Sequence, residues 1–310
     1  MTAEERTARR YPDLHLDGTL KSRAEAAESI LDDCTLCPRN CHVNRNEEEL
    51  GFCKTGKDPV ISSYSPHFGE EAPLVGRKGS GTIFFTHCNL GCIFCQNADI
   101  SQSGRGFQIT KEELAAIMIQ LQDRGCHNIN LVSPSHQVPA SIGALDIAAA
   151  DGLTIPVVYN TGGYDAVPTL RLLDEVIDIY MPDAKYADNR IGNALSGVSD
   201  YADRMKEVLI EMHRQVGDLV IRGGIAERGM IIRHLVLPNR LAGTEEVMRF
   251  IAEELSKDSY VNVMQQYRPA WKVREADPAC RAMERAITHQ EYRHAVAIAR
   301  SYGLWRGIPR

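Results

Sequence analysis

The sequence predicts an α/β fold built on a parallel sheet. Three observations carry that expectation. Short apolar, β-branched runs alternate with helical periodicity from residue 81 onward, each run is followed by a helix, and polar residues with chemistry to offer gather where the runs end. The runs fall at 82–86, 130–132, 156–159, 177–181, 230–237 and 261–266. They are apolar throughout rather than alternating, as strands buried on both faces are. Helical periodicity fills 111–124, 137–150, 166–174, 201–216 and 244–255, with a last stretch at 289–302. Thr110 followed by Glu113 is a capping-box start for the first of these helices. Such strand–helix units imply right-handed crossovers and ligands at the C-terminal strand ends.

Composition narrows the class. Of 310 residues, 44% are hydrophobic and 25% charged, ordinary for a globular protein in water. The net charge of −6 weighs against a duplex nucleic-acid binder, whose phosphate contacts favour a basic face. The start, MTAEERTARRYPDLHL, is charged and lacks the apolar segment of a secretory leader. No uncharged apolar run approaches the ~18–20 residues of a membrane span. A cytoplasmic protein with no membrane or nucleic-acid partner is expected.

The cysteines are the informative residues. Cys34, Cys37, Cys41, Cys53, Cys88, Cys92 and Cys95 cluster, while Cys126 and Cys280 stand alone and read as plain thiols. Clustered cysteines in a cytosolic chain bind metal or do redox work more often than they form disulfides. The stretch Thr86-His87-Cys88-Asn89-Leu90-Gly91-Cys92-Ile93-Phe94-Cys95-Gln96-Asn97 follows the first strand directly. Three thiolates so spaced can ligate three irons of a [4Fe–4S] cubane and leave the fourth open to a substrate or cofactor. The alternative is structural zinc, with His87 as the nearest fourth ligand.

This spacing, with Phe94 just before the last cysteine, resembles the radical SAM superfamily. Further blocks at 34–53, 67–71, 79–97, 178–186, 233–238 and 265–269 resemble the pyruvate formate-lyase activating enzyme group, in particular members with an N-terminal four-cysteine block. The resemblance implies an incomplete (β/α)6 barrel with a small cysteine-rich extension. It also implies that S-adenosylmethionine (SAM) chelates the open iron and is split reductively to a 5′-deoxyadenosyl radical. An electron donor such as a flavodoxin or ferredoxin is implied, and a glycyl-radical enzyme as the protein partner. Asp183 and Lys185 match the family's Asp-x-Lys after strand four, and Arg233 matches a strand-five Arg near the SAM carboxylate. Arg268 stands where activating enzymes carry a SAM-contacting His. The family's Gly-Gly-Glu after strand two reads Ser133-Pro134-Ser135-His136 here, and Ser133 or Ser135 is the replacement contact. After strand three the chain reads Tyr159-Asn160-Thr161-Gly162-Gly163, without the family's cation-site carboxylate, and Asn160 is a further SAM candidate.

Four cysteines at Cys34, Cys37, Cys41 and Cys53 suit either tetrahedral zinc or a second [4Fe–4S] cluster, and the spacing does not choose. The organisation expected is a charged segment 1–33 with a short helix at 24–31, a metal-binding extension 34–58, a partial barrel 59–270 and a helical cover 271–310. Tyr292, Val296 and Ala299 would form one face of that cover. His136 reads as a base, a substrate contact or a helix-start cap, and His87 as a neighbour of the cluster rather than a ligand. Glu70 and Glu71 either line the site's mouth or lie on a solvated loop. Three functions remain: an activating enzyme of the radical SAM oxidoreductases, a radical SAM enzyme for a small molecule or peptide, and a non-catalytic metal-binding interaction module.

Overall fold

The computed structural model describes residues 10–309, so the first nine residues of the charged segment lie outside it. The chain opens with α1 (Tyr11–Leu16) and α2 (Thr19–Ser29), and two short 3-10 turns follow. Next come β1 (Val60–His67), α3 (Ala72–Val75), β2 (Ser80–Phe85), α4 (Ala98–Ser101) and β3 (Phe107–Gln108). The alternating part then runs α5 (Lys111–Asp123), β4 (Ile129–Val132), α6 (Val138–Ala150), β5 (Val157–Thr161), α7 (Val167–Leu172) and β6 (Ile179–Pro182). It continues with α8 (Asn189–Ser196), α9 (Tyr201–Val216), β7 (Val220–Arg222), β8 (Ile225–Leu235), α10 (Thr244–Phe250), β9 (Tyr260–Met264) and α11 (His289–Ser301).

One sheet results, mostly parallel. Strands β2, β4, β5, β6, β8 and β9 lie side by side in that order, all parallel. Each of the six predicted runs sits on one of them. The antiparallel additions were not foreseen: β1 on β2, β3 on β1, and β7 on β8. Strand β1, VISSYSPH, is polar and only partly buried, so it lacks the apolar signature of a central strand. The capping box forms as expected, with Thr110 Oγ1 accepting the Glu113 N–H at 3.2 Å and Glu113 Oε2 accepting the Thr110 N–H at 2.8 Å.

The two faces of the sheet have different tasks. Val157, Tyr159, Tyr180 and Ile232 join the large core under the helices. Their neighbours Val158, Ile179, Met181 and Ile231 point the other way and pack on Leu74 of α3. Two residues further along the same face, Val158 gives way to Asn160, Met181 to Asp183 and Ile231 to Arg233. Strand periodicity thus turns an apolar floor into a polar rim at the C-terminal strand ends.

Helix α6 is apolar almost all round, because it is covered on its outer side too. Helices α1 and α2 lie on it and bury Tyr11, Leu14, Leu20 and Ala27 in the main core. The second of these spans Thr19–Ser29 rather than 24–31. Their anchor is Arg10, whose Nε and Nη2 donate to Asp178 Oδ1 and Oδ2 at 2.5 and 2.9 Å. Asp178 Oδ2 also accepts the Val157 N–H at 2.8 Å. At the other end, α11 buries Ala295 and Ala299, and the Arg306 carbonyl accepts the Val261 N–H along β9.

Burial pushes the Asp178 carboxyl up, and Arg10 opposes that shift. Replacing Asp178 with Ala should cost about 2–3 kcal/mol, since it strands a partly buried guanidinium and frees the Val157 N–H. Urea denaturation of the two proteins at pH 7 measures this; a midpoint unchanged by the substitution would contradict the anchor.

Candidate active site

The three-cysteine loop leaves the C-terminal end of β2 and is strapped down by the end of α8. The Gly91 and Ile93 N–H groups donate to the Ser196 and Leu195 carbonyls at 3.1 and 2.9 Å. Cys92 Sγ lies 2.9 Å from Ser196 Oγ, which is also 2.9 Å from the Tyr186 hydroxyl. With Tyr186 donating to Ser196, the serine O–H is left to donate to Cys92. Cys95 Sγ meets Ser101 Oγ at 3.0 Å, and the Leu90 N–H points at Cys88 Sγ at 3.4 Å. Phe94 is buried between the rings of Tyr186 and Tyr267. His87 adopts a left-handed backbone (φ 62°) and packs over Gly104, where a Cβ would strike its ring.

The polar rim converges beside this loop. Asp183 Oδ1 accepts Arg233 Nε at 2.8 Å, Asp183 Oδ2 accepts Lys185 Nζ at 2.5 Å, and Arg233 Nη2 donates to Asn160 Oδ1 at 2.7 Å. Burial alone would push the Asp183 carboxyl up, but Arg233 and Lys185 outweigh it and hold it below the usual carboxylate range. The Lys185 charge also reaches Cys92, where it favours the thiolate. A cavity of about 50 Å³ joins the two groups, walled by Phe94, Asp183, Lys185, Tyr186, Leu235 and Met264. A larger groove of about 950 Å³ lies between α8, α10 and α11, and neither space is lined by a cysteine.

A comparison with known protein families matches residues 82–251 to the radical SAM superfamily, more than half of the chain, including the cysteine loop, Asn160, Asp183, Lys185 and Arg233. The chain belongs to the radical SAM superfamily. It is 35% identical over 293 residues to the uncharacterized protein MJ0674 of Methanocaldococcus jannaschii, covering 92% of this chain and 79% of that one. Among solved structures it is similar to a radical SAM methyltransferase from Sphaerobacter thermophilus, with a TM-score of 0.49 and 16% identity. That similarity covers 72% of this chain and 64% of the other, so the chain spans less than two thirds of that structure's length.

Radical SAM membership implies an enzyme with a [4Fe–4S] cluster and SAM. The loop's donor set fits the cluster. Burial pushes the Cys88 thiol up to about 12, with the Cys92 and Cys95 thiols adding to the shift, and burial raises Cys92 as well. Two thiols that burial holds in the neutral form, with a third cysteine on the same loop, need a strong cation to hold them as thiolates. No three His, Cys, Asp or Glu side chains among the described residues are placed to hold a single metal ion. A cubane binds each thiolate to a different iron, so it needs no such convergence.

The other predicted residues divide. Asn160, Asp183, Lys185 and Arg233 form one hydrogen-bonded group, whereas Arg268 is exposed on the coil after β9 and outside it. Ser133 sits in a left-handed turn (φ 58°) at the end of β4, its N–H bound to the Asn160 carbonyl at 2.8 Å. Ser135 Oγ is bound within the sheet, 3.1 Å from Thr161 Oγ1. His136 is buried with Nε2 2.9 Å from the Thr86 carbonyl, and burial pushes its pKa down to about 3, so it is a neutral strut rather than a base. Cys126 and Cys280 are buried, and Cys34, Cys37, Cys41 and Cys53 line one small void.

Sequence reasoning missed Ser196, Ser101, Tyr186 and Tyr201. The Tyr201 hydroxyl sits 2.8 Å from both the Gly162 and Asp183 carbonyls and accepts the Lys185 N–H, fixing the strand ends together. It also left Glu70 and Glu71 undecided. Glu71 accepts from Asn262 Nδ2 at 3.0 Å, and both carboxylates stand close enough to Arg233 to raise its pKa. A signal was present in the repeated placement of polar residues just after apolar strand runs.

Asp183→Asn should destabilise the protein by about 3 kcal/mol at pH 7, because it leaves two buried cations facing each other. The sign follows from the lowered pKa: the carboxylate's contribution is complete above the unfolded value near pH ~4 and lost as pH falls through the folded value. Urea midpoints of wild type and variant should therefore differ at pH 7 and draw together only as pH falls below ~4, through the lowered folded value. A constant gap across that range would count against the ion-pair reading.

Proposed function

We propose that this chain is a radical SAM enzyme whose 88–95 loop carries the cluster and whose Asp183, Lys185, Arg233 and Asn160 hold SAM beside it. The observation that supports this is adjacency: Phe94 of the cysteine loop and Asp183 and Lys185 of the rim stand on the walls of one small cavity. Cys88, Cys92 and Cys95 would hold three irons and leave one open. When bound, the cluster supplies the electron that splits the SAM sulfonium into methionine and a 5′-deoxyadenosyl radical.

The protein's own residues position and exclude. Ser196 donates to Cys92 and stabilises its thiolate. Asp183 can accept ribose hydroxyls on edges its cations leave free, and the remaining Arg233 nitrogen can bind a carboxylate. Phe94, Tyr186, Leu235 and Met264 give the cavity beside the rim an apolar wall, which would help keep water from a radical formed there. The order of the six parallel strands supports a partial barrel, with substrate arriving at its C-terminal ends. For the substrate we favour a glycine Cα of a partner protein, on the sequence blocks shared with activating enzymes. A flavodoxin or ferredoxin would supply the electron.

Anaerobically reconstituted protein with dithionite and SAM should release 5′-deoxyadenosine, and Cys92→Ala should reduce that release at least ~10²-fold. Undiminished release from the variant would overturn the assignment. An electron paramagnetic resonance search for a glycyl radical in a candidate partner separates protein activation from small-molecule chemistry.

A further inference from the structure

We infer, resting on the radical SAM reading above, that Glu70, Glu71 and Asn130 form a substrate subsite beside Arg233 that takes an ammonium or guanidinium group. The two glutamates are fixed over the sheet rather than left on a free loop. They sit between β1 and α3, and α3 is pinned down. The Leu74 N–H donates to the Glu71 carbonyl at 2.8 Å, and the Leu74 carbonyl accepts Asn128 Nδ2 at 2.9 Å. The Leu74 side chain is buried against Val158, Ile179, Met181 and Ile231. Glu71 Oε1 accepts from Asn262 Nδ2 of β9 at 3.0 Å, whereas Glu70 lies near Asn130 of β4 and Arg233 of β8. The pair thus spans the polar face from β4 to β9. The sheet register sets Arg233 beside Asn262, and two residues further on stand Leu235 and Met264, walls of the small cavity. The subsite adjoins that cavity.

Three buried atoms here have bonding capacity that the protein does not use. Asn130 is 0% exposed, and its strand neighbours Ile129 and Leu131 pack into the helix-side core, so its carboxamide faces the glutamates' side. It lies close enough to Glu70 to favour the charged carboxylate, yet neither Oδ1 nor Nδ2 has a hydrogen-bond partner. Glu71 Oε2 is buried and likewise unpartnered. Buried polar atoms are nearly always satisfied, and leaving them idle costs stability that a ligand can restore.

Charge decides the ligand's class. Asp183, Glu70 and Glu71 all act on Arg233, and Lys185 is the second cation of the group. Asp183 takes hydrogen bonds from both cations. Three carboxylates against two cations leave one negative charge in excess when His67, the remaining titratable neighbour of Glu70, is neutral. Burial pushes the Glu70 carboxyl up, and Glu71 adds to the shift while Arg233 opposes it. A further cation between the glutamates would remove that penalty. Two of the three idle atoms are acceptors, so the ligand must chiefly donate. Ammonium and guanidinium donate from every N–H and carry the missing charge. A neutral amide would leave that charge uncompensated, and an anion would add to it. Asn130 Nδ2 is then free for a carbonyl of the same substrate, which a peptide with lysine or arginine beside its glycine provides.

Calorimetric titration of the anaerobically reconstituted full chain, with SAM present, tests this with three capped peptides. They are acetyl-glycyl-arginine amide, acetyl-glycyl-lysine amide and the neutral acetyl-glycyl-norleucine amide. At least one cationic peptide should bind ~10-fold or more tightly than the norleucine peptide, and a Glu70→Gln/Glu71→Gln double variant should erase that difference. The variant should bind SAM as wild type does. Equal binding of all three peptides, binding of none at millimolar concentration, or discrimination kept by the variant would overturn the inference. So would SAM affinity lost in the variant, which would assign the carboxylates to the ammonium of SAM itself. Should the variant not fold, the wild-type preference for cationic over neutral peptide decides alone. Failure of the radical SAM reading would show separately, as cationic peptides that bind while wild type with dithionite and SAM releases no 5′-deoxyadenosine.

Discussion

One carboxylate holds the site together. Asp183 terminates the sheet's central strand run, and its two oxygens are divided between Arg233 from the neighbouring strand and Lys185 from its own. Its backbone is fixed as tightly as its side chain: the N–H donates to the Thr161 carbonyl at 3.0 Å, and its carbonyl lies so near Gly163 that a Cβ there would sit 2.2 Å away. Burial would favour a neutral acid. Two flanking cations reverse that preference, so the rim keeps a fixed charge pattern instead of one that drifts with pH. Every proposed contact to SAM depends on that pattern, because an ionised Asp183 decides where Arg233 and Lys185 point.

The same alternation that builds the floor builds this rim. Parallel strands bury both faces, so residues two apart along β5, β6 and β8 share one surface. A sequence reader sees apolar runs and locates six strands, and sees cysteines and locates a metal loop. Residues such as Asn160, Asp183 and Arg233 are legible too, because they directly follow or interrupt the runs. What pairs them is not. The meeting of Asp183 with Arg233 requires the strand order, which local periodicity does not contain.

Other parts stayed hidden for definite reasons. Strand β1 carries Ser, Tyr and His on a partly exposed edge and so resembles a loop. Helices α1 and α2 have charged sequences, yet they bury Tyr11 and Leu14 because α6 offers a second apolar face outward. Ser196 is an unremarkable helix-end serine until the cysteine loop folds back onto it. Arg268 shows the opposite error: its position in a sequence block promised a contact, and the coil after β9 carries it to the surface.

The four-cysteine segment is not a detachable appendage, whatever its spacing along the chain. Arg39 bonds the carbonyls of Asn89 and Gly197, so one side chain spans the cysteine loop and the end of α8 that straps it. Arg45 reaches the His136 carbonyl, and the His136 ring reaches Thr86 just ahead of the loop. The Arg45 and His136 links are buried and the Arg39 bond to Asn89 partly so, which makes them costly to break and ties the position of Cys88 to the folding of residues 34–53. Whatever orders that segment therefore also orders the loop that would carry the radical SAM cluster. The two cysteine sets are separate in sequence and mechanically one in the fold.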